Sequence, residues 1–116
     1  MNLEPLKIAR EIVDILADKK GENIVLMDIK DLTVIADYFV ICSGTSFRML
    51  RALADAVEEH LRGEFKIKVR VQGDPNTGWL IADYGGTILH IFSSEQRAFY
   101  DLDELWSEGN ILVRMQ

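Results

Sequence analysis

Several familiar routes to function are closed by what this chain of 116 residues lacks, starting with its single cysteine, two prolines and two histidines. Cys42 has no partner for an internal disulfide and no companions for a cysteine-rich metal site, which fits a reducing compartment. No apolar run approaches the roughly 18 residues that a membrane-crossing helix needs. The amino terminus leads directly into an amphipathic, acid-containing segment rather than a secretory or transit signal, so the expectation is a cytoplasmic protein. There is no His-Glu-x-x-His, no paired Cys-x-x-Cys and no nucleophile elbow. Cys42 and His90 are the only pair that could supply a nucleophile and a base, and Cys42 lies inside the apolar run Phe39-Val40-Ile41, where a cysteine behaves as a small packed hydrophobe. The sequence offers no convincing active site and implies no cofactor.

Basic charge is scarce in the last third. The net charge is −6. Residues 1–73 hold 11 basic and 12 acidic side chains, whereas residues 74–116 hold 2 and 7. Phosphate backbones attract lysine and arginine, so the acidic carboxy-terminal part predicts little direct nucleic-acid contact and favours a basic protein partner; a merely solvated acidic surface is the alternative.

What is present is the patterning of one domain spanning residues 1–116. An apolar fraction of 48% with 28% charged residues is typical of a globular chain. Leu3, Leu6, Ile8, Ala9, Ile12, Val13 and Leu16 recur at helical spacing after a candidate Asn2 cap, predicting a helix over 3–19. Buried strands are predicted at Ile24 to Ile29 and Tyr38 to Cys42. A second helix is predicted from Thr45 or Ser46, either of which can cap it, to about Gly63, with His60 on its surface. Ile67, Val69 and Val71 alternate with Lys66, Lys68 and Arg70, the signature of a strand with one wet face. A turn at Asp74 to Gly78 leads into a hairpin, a third helical region carries Phe99, Leu102, Leu105 and Trp106, and Ile111 to Val113 reads as a short edge strand. The expected fold is α/β (α+β): a mixed sheet of about five strands flanked by helices.

Ser43-Gly44-Thr45-Ser46, between a strand and a helix, has the position of an anion-binding loop but lacks the glycine spacing and lysine of a phosphate loop. A structural turn and a ligand loop both remain open for it. The same arrangement occurs in nucleotidyltransferases, where carboxylates on a following strand hold metal ions. Here Asp55, Glu58 and Glu59 lie on the helix itself, and Asp28, Asp37 and Asp83 each have a simple role at a strand end or turn. A magnesium- and nucleotide-using enzyme is the alternative reading.

The hairpin Gly78-Trp79 to Phe92 is more informative. A two-residue turn at Gly85-Gly86 pairs Tyr84 with Thr87, Ala82 with Leu89, Ile81 with His90 and Trp79 with Phe92. One face then collects Leu80, Ala82, Tyr84, Thr87, Leu89 and Ile91. The other collects Trp79, Ile81, Asp83, Ile88, His90 and Phe92. A buried carboxylate without a partner is costly, so the second face is expected to point outward as an apolar patch for another molecule; helices covering both faces are the alternative.

Asp37 to Ser46 with Arg48, Gly78-Trp79 through Asp83-Tyr84-Gly85, Leu89 to Phe92, and Arg97, Phe99-Tyr100, Leu102 and Leu105-Trp106 together resemble the ribosomal silencing factors, the Iojap-like proteins. The resemblance runs from the first helix to about Trp106. It implies a nucleotidyltransferase-like fold without catalytic carboxylates and a protein that is not an enzyme. It further implies binding to ribosomal protein fourteen of the large subunit, which blocks association with the small subunit and represses translation under nutrient limitation. Some relatives in organelles act in large-subunit assembly. Position by position, the partner-binding residues implied are Trp79, Ile81, Asp83 and His90, with Phe92, Arg97, Tyr100 and Trp106 at the margin. The chain is expected to be a monomer on the ribosome and able to pair with itself when free. It departs from the family in Gln72 and Gly86, where acidic residues are usual.

Overall fold

A strand buried on both faces organises the molecule. The computed structural model describes residues 4–116. Within them β2 (Tyr38–Gly44) is buried at all seven positions, which is why its sequence is a continuous apolar run rather than an alternation. It pairs antiparallel with β1 (Glu22–Asp28) and parallel with β4 (Thr87–Ser93). Beyond β4 lies β3 (Trp79–Asp83), and beyond β1 lies β5 (Asn110–Met115), both antiparallel to their neighbours. The five-stranded mixed sheet has the order β3-β4-β2-β1-β5.

Two long helices cover one face. α1 (Pro5–Asp18) starts at a proline, whose fixed φ and missing N–H suit a first helical turn, and buries Ile8, Ala9, Ile12, Val13 and Leu16. The expected Asn2 cap and Leu3 lie outside the described residues. α2 (Phe47–Phe65) is capped by the Ser46 hydroxyl, which accepts from the Met49 N–H at 3.1 Å. It runs two residues past Gly63 and ends where Lys66 takes a left-handed conformation. His60 is half-buried rather than simply on the surface: its Nε2 lies 3.0 Å from Glu11 of α1, and this contact holds the Glu11 carboxyl below its usual range. Leu50, Leu53, Val57 and Leu61 of α2 join α1 and the sheet residues Ile24, Leu26, Val40, Cys42, Leu80, Leu89 and Ile91 in the main core.

The hairpin has the register expected from its turn. Trp79 is opposite Phe92, Ile81 opposite His90 and Ala82 opposite Leu89; the Tyr84 N–H donates to Thr87 at 2.8 Å. Gly85 has a φ of 88°, a region that favours glycine. The Asp83 carboxylate accepts from the Gly85 N–H at 2.8 Å, a turn role.

Residues 67–71 correct the sequence reading. They form no strand; only Gln72 joins β3, exchanging two hydrogen bonds with Ile81 at 2.8 and 2.9 Å. The alternation is nonetheless real, because Val71 is buried, Ile67 and Val69 pack against the main core, and Lys66, Lys68 and Arg70 are exposed. Alternation reports a dry side and a wet side, not a hydrogen-bonded neighbour, and here the Val71 N–H donates to the Glu58 side chain of α2 instead. The fifth strand is supplied by β5, an edge strand as expected but longer than Ile111 to Val113.

Gly86 ties the hairpin to α1. A Cβ at this position would lie 2.5 and 2.8 Å from Pro5 side-chain atoms, while the Thr87 hydroxyl donates to the Pro5 carbonyl at 2.7 Å and the Gly86 carbonyl accepts from the Asp37 and Tyr38 N–H groups. Any side chain at this position would therefore require Pro5 at the start of α1 to shift. Gly86→Ala is expected to cost about 1–3 kcal/mol by overpacking, read as a lower urea midpoint, whereas Pro5→Ala in the same background should recover part of the loss.

Candidate functional site

The second face of the sheet is covered unevenly, and the candidate site lies where the cover stops. Val25, Met27, Phe39, Ile41 and Phe92 form a smaller core there, with Trp79, Ile88, Leu102 and Trp106 packed at its margin. The cover comes from α3 (Ser94–Tyr100) and α4 (Leu102–Leu105), which follow β4 without a long connection. Ser93 caps α3 by accepting from the Gln96 N–H at 3.1 Å. Two short helices cannot span five strands, so the β3 side remains partly open.

An aromatic cluster forms at that boundary. Trp79 stacks on Phe92 with ring centroids 5.1 Å apart and meets Tyr100 at 4.5 Å. Its indole N–H donates to His90 Nδ1 at 3.2 Å. An indole nitrogen can only donate, so Nδ1 is the unprotonated nitrogen of a neutral imidazole whose proton sits on Nε2. Burial pushes the His90 pKa down to about 4, keeping the ring neutral near pH 7. Its Nε2 is buried without a hydrogen-bond partner among the described residues, and Phe39 meets the ring edge-on at 4.9 Å.

The eight residues implied by the family resemblance are not equally placed. Ile81 and Tyr100 are exposed, at 37% and 44%, Asp83 is exposed, and Trp79 is half-buried. These four share one surface with Phe99, which is 77% exposed. His90 and Phe92 are buried, at 5% and 0%, correcting the expectation of an outward-pointing face: α3, Tyr100 and Trp79 itself lie over them. Trp106 is half-buried and reaches the cluster through Phe39, at 5.4 Å. Arg97 belongs elsewhere. Its guanidinium makes a two-pronged pair with Asp103 at 3.2 and 3.0 Å, and donates to the Ser43 hydroxyl at 3.0 Å and to the Asn23 carbonyl. It clamps α3 and the segment after it onto the ends of β1 and β2, which gives it a structural role.

The other sequence candidates resolve into packing. Ser43 and Gly44 belong to β2 and are buried, and Ser46 is the α2 cap. Asp28 accepts from the Lys30 N–H at 3.0 Å. Among the described residues no three of His, Cys, Asp and Glu are grouped to hold a metal ion. Cys42 is buried in the main core, which pushes its thiol up to about 12. Phe39 and Asp103 escaped the sequence reading. Phe39 was indistinguishable from the rest of its apolar strand, and no periodicity links Asp103 to Arg97.

The fold and this face define an α+β protein with a half-covered sheet, an architecture shared with the crystal structure of a Chromobacterium violaceum protein. That structure superposes with a TM-score of 0.83 at 26% identity, covering 96% of this chain and 94% of the other. The family described as "Ribosomal silencing factor during starvation" matches residues 2–115. This chain belongs to that family. It is 34% identical over 109 residues to the ribosomal silencing factor RsfS of Halalkalibacterium halodurans, spanning 93% of this chain and 90% of the relative. It is also 30% identical over 99 residues to a mouse protein named for mitochondrial assembly of the ribosomal large subunit, spanning 83% of this chain and 43% of the relative.

The His90 environment makes an acid-side prediction. The ordinary histidine pKa of about 6.5 applies to the unfolded chain, whereas the folded value is about 4. The unfolded state therefore takes up a proton first, so the contribution is complete above pH 6.5 and declines as pH falls towards 4. On the order of 3 kcal/mol is at stake. Urea unfolding at pH 7 and pH 4.5 should show a smaller loss for His90→Leu than for the parent chain; equal losses would contradict a buried, neutral His90.

Proposed function

We propose that this chain binds ribosomal protein fourteen of the large subunit through the β3 and α3 surface centred on Trp79, and so sterically blocks association with the small subunit. In this reading it acts in the cytoplasm as a translational repressor under nutrient limitation, a monomer when docked. The observation that carries the proposal is the continuous surface of Trp79, Ile81, Phe99 and Tyr100 at the uncovered side of the sheet, in a chain of a ribosomal silencing family. Large aromatic groups held rigidly in one orientation are the usual anchors of protein interfaces. Trp79 meets that description, being stacked on two rings and held by a hydrogen bond. Asp83, at the far end of β3, and Asp101, next to Tyr100, are exposed, and with the net charge of −6 they suit a basic partner, where rim charges act chiefly on association rate and salt dependence. His90 and Phe92 support the anchor from beneath. The same patch is available for self-pairing in the unbound protein.

A role in large-subunit assembly is the second reading, favoured by the name of the mouse relative. Sedimentation separates the two: a silencing factor accompanies mature free large subunits, an assembly factor their precursors.

Binding to large subunits is expected to weaken by at least about 2 kcal/mol, roughly thirtyfold in Kd, for Ile81→Glu and for Trp79→Ala. Ile81→Glu should leave thermal unfolding nearly unchanged because the side chain is already exposed, whereas Trp79→Ala should also lower the melting temperature by unroofing Phe92. Parent-like binding by a folded Ile81→Glu chain would remove this surface from the interface.

A further inference from the structure

The segment that replaces the expected strand carries a row of cations with no ion-pair partner among the described residues. Lys66, Lys68 and Arg70 are exposed, and residues 65–73 contain no acidic side chain. Arg62, on the last turn of α2, is exposed too. Arg62, Lys68 and Arg70 line one groove of about 480 Å³, together with Ile67, Val69 and Glu58. The ion pairs among the described residues use Lys7, Lys19, Lys30, Arg51, His60 and Arg97, and none of these four cations. The Glu58 carboxylate is already engaged by the Val71 N–H. Glu59 and Glu64 are exposed acids on the same helix, and neither forms an ion pair with these cations.

Geometry adds direction to the charge. Alternate residues of an extended chain stand about 6.6–6.8 Å apart on the same side, so Lys68 and Arg70 are spaced to meet successive phosphates along one strand, with Arg62 across the same groove and Lys66 at the turn out of α2. The segment runs towards β3: Gln72, two residues beyond Arg70, pairs with Ile81. The segment that carries the cations therefore leads directly onto β3, the strand that carries Trp79 and Ile81. Acidic surroundings leave a basic strip in a chain of net charge −6 poorly suited to non-specific binding, so it calls for a partner brought into position by another contact.

We propose that the strip formed by Arg62, Lys66, Lys68 and Arg70 contacts the phosphate backbone of RNA on the large subunit, flanking the protein contact made by the Trp79 surface. The expectation of little nucleic-acid contact drawn from residues 74–116 does not extend to this segment. The inference rests on the proposed docking for its location, while its charge chemistry stands on the strip alone. Phosphate contacts position a protein and release counterions, which makes affinity fall with salt.

The decisive experiment compares the parent chain with an Arg62→Gln, Lys68→Gln, Arg70→Gln triple variant for binding to intact large subunits between 50 and 200 mM salt, and for binding to isolated ribosomal protein fourteen. All three side chains are exposed, and thermal unfolding verifies that the variant folds. The variant is expected to bind intact subunits about tenfold more weakly at the low-salt end, with the slope of log affinity against log salt reduced by about 2 to 3, and to bind the isolated protein like the parent. Equal losses towards both targets would make the strip a protein contact and overturn the proposal. Unchanged binding to subunits would make it a solvated surface and overturn it as well. A parent chain that ignores the isolated protein but retains strip-dependent binding to subunits would defeat the partner assignment and leave the RNA contact standing.

Discussion

The structure depends on a constraint set by β2: a strand apolar on both faces and hydrogen-bonded on both edges needs cover above and below. α1 and α2 provide a complete roof on one side, burying Leu50, Leu53, Val57 and Leu61 at 1% exposure or less. On the other side only short α3, α4 and Trp106 are available, and they reach across β1, β2 and part of β4. The molecule is thus asymmetric by construction. Its open side is the remainder of a sheet that its own helices do not reach.

Two devices hold that partial roof in place. The Arg97 clamp joins the α3 to α4 region to Ser43 and Asn23 at one end of the sheet, and the stacked Trp79, Phe92 and Tyr100 rings hold the other. Arg97 is well suited to the first because a planar guanidinium can satisfy a carboxylate and two further oxygens at once. In the second, a neutral His90 gives the indole its acceptor. The protein's core and its contact surface share these residues, so the functional face is an extension of the packing rather than a set of side chains placed on a finished scaffold.

Much of this was readable in advance where a local rule applied. The Gly85-Gly86 turn dictated every pair in the hairpin, Ser46 marked the start of α2, and the unbroken run Tyr38 to Cys42 announced a central strand. The failures share a cause. Residues 67–71 alternate as a strand does, yet their backbone bonds go to α2, the Ile67 N–H to the Leu61 carbonyl and the Val71 N–H to the Glu58 side chain. Phe92 and His90 sit on the face assigned to solvent, yet a helix formed from residues after them folds back over it. Period-two patterning identifies which side chains share a face; it carries no information about what lies opposite that face.

The sequence by itself determined the two long helices, the hairpin register, the apolar character of both sheet faces and the family, because these follow from spacing, turn chemistry and the order of short motifs along one chain. Only the tertiary structure decided which members of the Trp79 face are exposed, that Arg97 is a clamp, that the fifth strand is β5, and that Lys68 and Arg70 share a groove with Arg62. Those facts depend on contacts between residues far apart in the chain, such as Arg97 with Asn23 and Gln72 with Ile81. Burial and charge pairing belong to the neighbourhood of a residue in space, and no local pattern encodes that neighbourhood.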